Sequence, residues 1–268
     1  SAGLLLFSLL GFLSGCSKPN QVTSLQVEIW YQGKALACDS FERNQGLWSI
    51  QQLAFFVSNM HYLGDENQPQ PQLLKNPWQS QQVALIQSDL SPCDVTVKHD
   101  DQPARRQVTA MNPLKSNAQV TFVAPIELDQ YQQLSFTLGV PFELNHQNPL
   151  TQSSPLNMPN MFWSWRAGHK FFRLDLQGQN SNWAFHLGSV GCTAASTMRA
   201  PQKACIKPNR VDFKLDKMAD GKKLVMHVDR LLENLTLQNS SSCLFHSDQE
   251  SCPIMMQNLK HQAVFEWH

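Results

Sequence analysis

Residues 139–150 read GVPFELNHQNPL, residues 154–176 read SPLNMPNMFWSWRAGHKFFRLDL and residues 185–192 read FHLGSVGC. Side chains on a β-strand alternate between two faces. The string MFWSW therefore puts Met161, Trp163 and Trp165 on one face and Phe162, Ser164 and Arg166 on the other. The run 161–176 reads as the longest strand of the chain. Residues 183–187 read as another, with Trp183 and Phe185 on one side and Ala184 and His186 on the other. Three histidines (His146, His169, His186) and two tryptophans (Trp163, Trp165) fall in this one block, punctuated by Gly and Pro. Imidazoles are the commonest protein ligands for borderline metals such as copper and zinc. The same residues also have an ordinary reading, since strand aromatics fill cores and histidines make local hydrogen bonds. After Pro141 the Asn-, Ser- and Pro-rich run builds strands poorly and is expected to lie as a loop over the surface or a site mouth.

Outward from this block the same period recurs. Residues 25–31 alternate apolar and polar, Gly33 turns the chain, and residues 34–38 return as a hairpin arm. Residues 47–62 form a second alternating stretch with an apolar centre at 53–57, and His61 ends it. Further strands are expected at 82–86, 118–125, 134–140 and 262–265, with a brief one at 106–109. Residues 210–215 and 222–229 predict a hairpin across Asp220-Gly221, a strong turn signal. The Pro- and Gln-rich residues 64–80 read as loop. Residues 229–235 predict a short helix and residues 253–259 a helical turn. Short strands separated by regular turn signals predict an all-β fold: an antiparallel β-sandwich with long disulfide-closed loops and one or two short helices. No internal repeat or linker divides it, so residues 25–268 are read as a single domain.

Lys and Arg number 21 and Asp and Glu 21 among 268 residues, which excludes the basic footprint of a nucleic-acid binder. Residues 4–13 are apolar but too short for a membrane-spanning helix, which needs about 20 residues. They have the length of a signal-peptide apolar region. The following Leu13-Ser14-Gly15-Cys16 resembles a bacterial lipobox. Residues 1–16 are thus expected to be a lipoprotein signal peptide ending at Cys16, the lipidated residue, with residues 17–24 as a polar tether. Ser17, in place of the Asp that tends to hold lipoproteins at the inner membrane, points to the outer membrane and the periplasm. The other six cysteines form an even set, which suggests disulfides in an exported protein. Among the many possible connectivities, Cys192–Cys205 and Cys243–Cys252 are favoured as local closures and Cys38–Cys93 as the long one. A thiolate metal site is the alternative, although no C-x-x-C is present.

Catalytic signatures are absent from the sequence. It has no G-x-S-x-G elbow, no P-loop and no H-E-x-x-H. Glu143, Asp175, Asp212 and Asp216 are not paired at a spacing that argues acid/base work. A lone Asp on a strand reads as solvated or bridged.

The central block resembles the signature of the metallo-mystery pair system four-Cys motif family, the MbnP-like proteins. The matching strings are Gly139-Val140-Pro141-Phe142, Asn145-His146, Ser154-Pro155-Leu156-Asn157, Met161-Phe162-Trp163-Ser164-Trp165, Gly168-His169-Lys170-Phe171, Arg173-Leu174-Asp175 and His186-Leu187-Gly188-Ser189-Val190-Gly191-Cys192. Likeness continues upstream at Phe55-Phe56-Val57-Ser58 and from Trp78-Gln79 through Val83-Ala84-Leu85, and downstream at Cys205 with Pro208-Asn209-Arg210. It spans roughly residues 24–266. The resemblance implies a periplasm-facing copper-binding protein that is the substrate of an oxidase and not itself an enzyme. The implied partner is a dihaem cytochrome c peroxidase/MauG-like protein that oxidises a tryptophan, Trp163 or Trp165, to kynurenine. Kynurenine carries an aromatic amine and a ketone and can join histidines as a ligand. His146 and His186 are the implied copper ligands, with His61 and His169 behind them; no nucleotide and no haem of its own are expected. Some positions depart from the family pattern. Residues 188–192 read GSVGC for GSTGC, Ser242-Cys243-Leu244-Phe245 replaces Gly-Cys-Met-Ser, and His169 stands where Tyr is frequent, either adding a ligand or exchanging one ring for another. The competing function is a metal-free structural or adhesive surface lipoprotein of the same fold.

Overall fold

The computed structural model describes residues 22–64, 70–88, 90, 92–93, 116–244, 251–261 and 263–268. Cys16 with the signal segment, residues 17–21 of the tether and the strand expected at 106–109 lie outside the described residues. The strands are β1 (Ser24–Tyr31), β2 (Lys34–Ala35), β3 (Ser40–Arg43), β4 (Gly46–Leu63), β5 (Val83–Gln87), β6 (Gln119–Thr121), β7 (Gln133–Leu138), β8 (Phe162–Ser164), β9 (Gly168–His169), β10 (Phe172–Gln177), β11 (Asn182–Leu187), β12 (Val211–Asp216), β13 (Lys223–His227) and β14 (Phe265–Trp267). Among the described residues three α-helices accompany them: α1 (Phe142–Asn145), α2 (Val228–Leu231) and α3 (Ser251–Lys260). No helix of the described residues is long and apolar enough to cross a membrane.

Among the described residues two large sheets form the sandwich, and β8 and β9 make a third, two-stranded one. Of the large sheets, one runs β14-β13-β1-β2, with β6 also on β1; the other runs β11-β10-β4-β7-β12, with β3 and β5 also on β4. The alternation expected of residues 25–31 is met, because Leu25, Val27 and Ile29 are buried on β1. On β12, Val211, Phe213 and Leu215 are buried while the residues between them are exposed. The sheets meet through aromatic rings. Phe265 of β14 lies 5.5 Å from Phe55, 5.3 Å from Phe136 and 4.8 Å from Phe213, and Trp267 lies 5.6 Å from Tyr62. Each of these rings is almost fully removed from water, and burying one contributes about 1.5–3 kcal/mol before packing terms. The mostly antiparallel sandwich is therefore the observed fold. The disulfides are Cys38–Cys93, Cys192–Cys205 and Cys243–Cys252.

Two sequence expectations need correction. The Asp220-Gly221 turn does not close a hairpin. β12 pairs with β7 in the larger sheet, whereas β13 pairs with β14 and, in parallel, with β1 in the smaller one. Residues 217–222 form a crossing between sheets, held by a Trp267 Nε1–H bond to the Gly221 carbonyl (2.7 Å). Alternation reports which face of a strand is buried but not which neighbour it pairs with. The second correction concerns the run 161–176, expected as one strand. It breaks into β8, a turn at 165–167, β9 and β10, with β8 and β9 folded back on each other through the Phe162–His169 pair. Gly168, at φ +78, makes the reversal possible: a Cβ there would lie 2.5 Å from the Asn145 amide. The helical turn expected at 253–259 is the full ten-residue α3, and α1, inside the expected loop, was unforeseen.

Candidate metal and modification site

The site is assembled where that broken run meets α1 and the loop after β11. Pro141, at φ −54, starts the single turn of α1, which ends by delivering Asn145 and His146 to the interior. Asn145 acts as a hub. Its Oδ1 accepts the backbone N–H of His169 (2.7 Å) and stands 3.1 Å from His169 Nδ1; its Nδ2 donates to His146 Nε2 (3.1 Å). His169 is fully buried between the rings of Phe56 (5.6 Å) and Phe162 (5.1 Å). Its Nε2–H donates to the Leu156 carbonyl at 2.8 Å. Burial pushes its pKa down to about 4 against the opposing pull of the Leu156 and Asn145 contacts, so the ring is neutral at ordinary pH.

His146 and Trp165 lock each other. The Trp165 indole N–H donates to the His146 carbonyl, and His146 Nδ1–H donates to the Trp165 carbonyl at 3.3 Å. Burial lowers the His146 pKa, partly offset by that Trp165 contact. With Nδ1 protonated, Nε2 keeps the lone pair. Nε2 also lies 3.6 Å from Cys205 Sγ, and His146 with the sulfurs of Cys192 and Cys205 forms a group whose donor atoms lie within 4.8 Å of one another. Those sulfurs are bonded to each other. Metal ligation needs thiolate, so His146 is the one ready ligand of that trio.

Trp163 takes a different direction from Trp165. Its ring lies on the backbone of Gly188, where a Cβ would sit 2.6 Å from the ring and 2.8 Å from the His169 carbonyl. The imidazole of His186 is 6.5 Å away, centre to centre, and Lys170 Nζ stands 5.9 Å over the indole. His186 Nε2 donates to Asp175 Oδ1 at 2.6 Å. The other oxygen of Asp175 takes a two-pronged contact from Arg173, at 2.6 and 2.7 Å. Burial alone would raise the Asp175 pKa; the His186 hydrogen bond and the His186 and Arg173 charges outweigh it and hold the carboxyl below its ordinary value. Cross-strand register explains the grouping, because Arg173 of β10 faces His186 of β11 directly and Asp175 follows Arg173 on the same face.

The fold thus ties His186 to Trp163 and His146 to Trp165, and both histidines adjoin the segment 188–192. His186 precedes it on β11, and His146 touches Cys205, the disulfide partner of Cys192. His169 supports this assembly from the core. His61 is exposed on β4, opposite Ser135, and stands roughly 15 Å along the strand from Phe56, where His169 packs. Sequence reasoning missed Asn145, Arg173, Asp175, Lys170 and Gly188 as parts of the site. The alternate-position pair Arg173 and Asp175, both within matched family strings, was the available signal.

The sequence profile of the MbnP family matches residues 20–247. The solved structure of MbnP from Methylosinus trichosporium superimposes with a TM-score of 0.69 at 19% identity, covering 89% of this chain and 88% of that one. No curated protein sequence matches the chain. A profile that spans most of the sequence, together with the same fold over nearly the whole length, makes the chain a member of the MbnP family.

Proposed function

We propose that this chain is a copper-binding lipoprotein of the bacterial cell envelope. It is anchored through Cys16 at the outer membrane, faces the periplasm, and is matured when a dihaem MauG-like partner oxidises Trp163 to kynurenine. The observation that carries this reading is the contact series Trp163, His186, Asp175: an oxidisable indole beside a histidine whose far nitrogen is fixed by a carboxylate. Metal-binding histidines characteristically give their second N–H to a carboxylate or a backbone carbonyl. His186 does so to Asp175, keeping Nδ1 as its ligand atom, and His146 does so to the Trp165 carbonyl, keeping Nε2. Two imidazoles, each fixed from behind with one nitrogen left to ligate, support this reading, and His186, His146 and the modified residue at position 163 are the ligands proposed for copper. An intact indole has no free lone pair in the plane of its ring; kynurenine supplies an amine and a ketone. Two imidazoles with a weak third donor suit soft Cu(I).

The maturation step balances with two equivalents of hydrogen peroxide as oxidant. One oxygen atom adds to each carbon of the indole C2=C3 bond as that bond is cleaved; four electrons leave the ring, two to each peroxide, and two waters are released. Hydrolysis then releases the former C2 as formate and leaves the free amine. In this step the chain is substrate, and its own residues position the ring: Gly188 leaves room for it and His169 buttresses the turn.

One observation favours a metal-free structural role instead. His146 Nε2 already faces the Asn145 amide and the Cys205 sulfur. Protein isolated from the native host separates the two readings. Bound copper and a Trp163-containing peptide with the mass of kynurenine are the expected result; copper-free protein with both tryptophans intact would sink the proposal. His146→Ala and His186→Ala should each weaken copper binding by about tenfold or more.

A further inference from the structure

Charge is balanced over the chain but not over the site. From Phe142, where α1 begins, to Arg210 inclusive there are seven Lys or Arg and two carboxylates, Glu143 and Asp175, and Asp175 is engaged by Arg173 and His186. Folding sets the loop between β11 and β12, which carries three of the exposed members, beside the turn that holds Trp165. Arg166 follows Trp165 in the turn, and its backbone N–H donates to the Thr197 carbonyl (3.1 Å), which lays the loop closed by Cys192–Cys205 against that turn. Arg199 and Lys203 are on this loop. Lys207 pairs with Val190, two residues beyond the Gly188 that carries the Trp163 ring. Arg166, Arg199, Lys203 and Lys207 are all exposed, and among the described residues no carboxylate forms an ion pair with any of them. Next to Arg199 and Lys207 in sequence are apolar side chains open to solvent, Met198 at 69% and Ile206 at 81% exposure.

We propose that this cationic rim, with the adjoining Met198 and Ile206, is the docking surface for an acidic face of the protein that oxidises Trp163. The inference rests on the oxidation reading above and adds the chemistry of the partner's surface. Complementary charge steers encounter and fixes orientation, while a few apolar side chains inside a charged rim provide the desolvated centre of a transient interface. The disulfide and the ladder pair at Val190 and Lys207 hold the rim in place before binding, which lowers the ordering cost of docking. An anionic lipid surface would meet the cations too, but it gives no reason for them to stand on the loop that adjoins the tryptophan-bearing turn.

The test compares wild type with the triple variant R199E/K203E/K207E, both produced in the native host. Mass spectrometry follows early conversion of the Trp163 peptide. All three side chains are exposed, so folding is expected to be kept, and a thermal melt checks it; the neutral triple variant R199Q/K203Q/K207Q gives a second, milder step. Wild type should convert, the Glu variant at least tenfold more slowly, and the Gln variant in between. Equal conversion in all three overturns the rim alone, as does unchanged conversion with loss of binding to phosphatidylglycerol vesicles, which would assign the rim to the membrane. Wild type that never converts overturns the oxidation reading, and this inference with it.

Discussion

Replacing Asp175 by Asn keeps the shape of the side chain and removes the charge that holds two partners. Oδ1 accepts from His186 Nε2 at 2.6 Å, and Oδ2 accepts from Arg173 at 2.6 and 2.7 Å. Asparagine has one acceptor oxygen and one donor amide, so it cannot serve two donors. Arg173 presents the two-pronged charged contact, the stronger claim on the oxygen. The amide then faces His186 Nε2, and the ring must move its proton to Nδ1 to accept. That places a proton on the atom assigned to the metal. Loss of such a supporting contact typically costs 10–100-fold in metal affinity, or about 1.4–2.7 kcal/mol. The fold itself should lose less, about 1 kcal/mol, because the Arg173 and Asp175 side chains are each 22% exposed and water screens the lost charge. Two measurements decide. Competition with a chromophoric Cu(I) chelator gives the affinity of protein from the native host. Long-range proton–nitrogen NMR of the metal-free protein reports which ring nitrogen of His186 carries hydrogen. If the variant keeps the proton on Nε2 and binds copper as tightly as wild type, Asp175 does not orient the ligand and the reasoning fails.

Three more perturbations probe the support beneath the site. Asn145→Ala leaves the buried His169 backbone N–H without its acceptor and frees His146 Nε2; urea unfolding should show a loss of about 2–3 kcal/mol, and a loss under half a kcal/mol would deny Asn145 its role as hub. Gly188→Ala places a methyl 2.6 Å from the Trp163 ring and 2.8 Å from the His169 carbonyl. Overpacking of this kind costs about 1–3 kcal/mol, and the displaced indole should show altered fluorescence; an unchanged spectrum and melting point would contradict the packing. The third is acid sensitivity. His169 has a folded pKa of about 4, lowered by burial, against about 6.5 in the unfolded chain. Its stabilising effect is therefore complete above about pH 6.5, falls as pH drops toward 4, and is gone below, a swing of about 3 kcal/mol. His146 and His227, also lowered by burial, add to the same slope. His169→Gln should remove its share, and parallel stability profiles for variant and wild type between pH 7 and 4.5 would refute that assignment.

What could be read from the sequence depended on whether the signal was local. Burial on β1 follows from Leu25, Val27 and Ile29 at alternate positions, and the apolar run 53–57 announces the spine of the larger sheet. The even cysteine set pointed to disulfides for the same reason, since Cys192–Cys205 and Cys243–Cys252 close short loops. Strand partnership was not local: nothing in Asp220-Gly221 says that the strands on its two sides enter different sheets. The supporting contacts of the site were hidden likewise. Asn145 meets His169 across 24 residues, and Asp175 meets His186 across 11. Asp175 alone on a strand had only the ordinary reading.

The most informative misreading is the run 161–176. Taken as one strand, it sets Trp163 and Trp165 side by side on a common face. The reversal at Gly168 instead gives each indole its own histidine: Trp163 goes over Gly188 toward His186, and Trp165 goes into a mutual backbone lock with His146. The two rings thereby acquire unequal chemistry. Trp165 spends its N–H on a backbone carbonyl that also positions His146, so opening its ring would loosen a candidate ligand. Trp163 lies against a glycine and beside a histidine already fixed from behind by Asp175, so its ring can be opened while His186 keeps its support. A strand whose alternating pattern is broken by a glycine reversal is where local preference is expected to yield to function. Here the break is what distinguishes Trp163, the tryptophan proposed for oxidation, from Trp165, whose N–H is held by the His146 carbonyl.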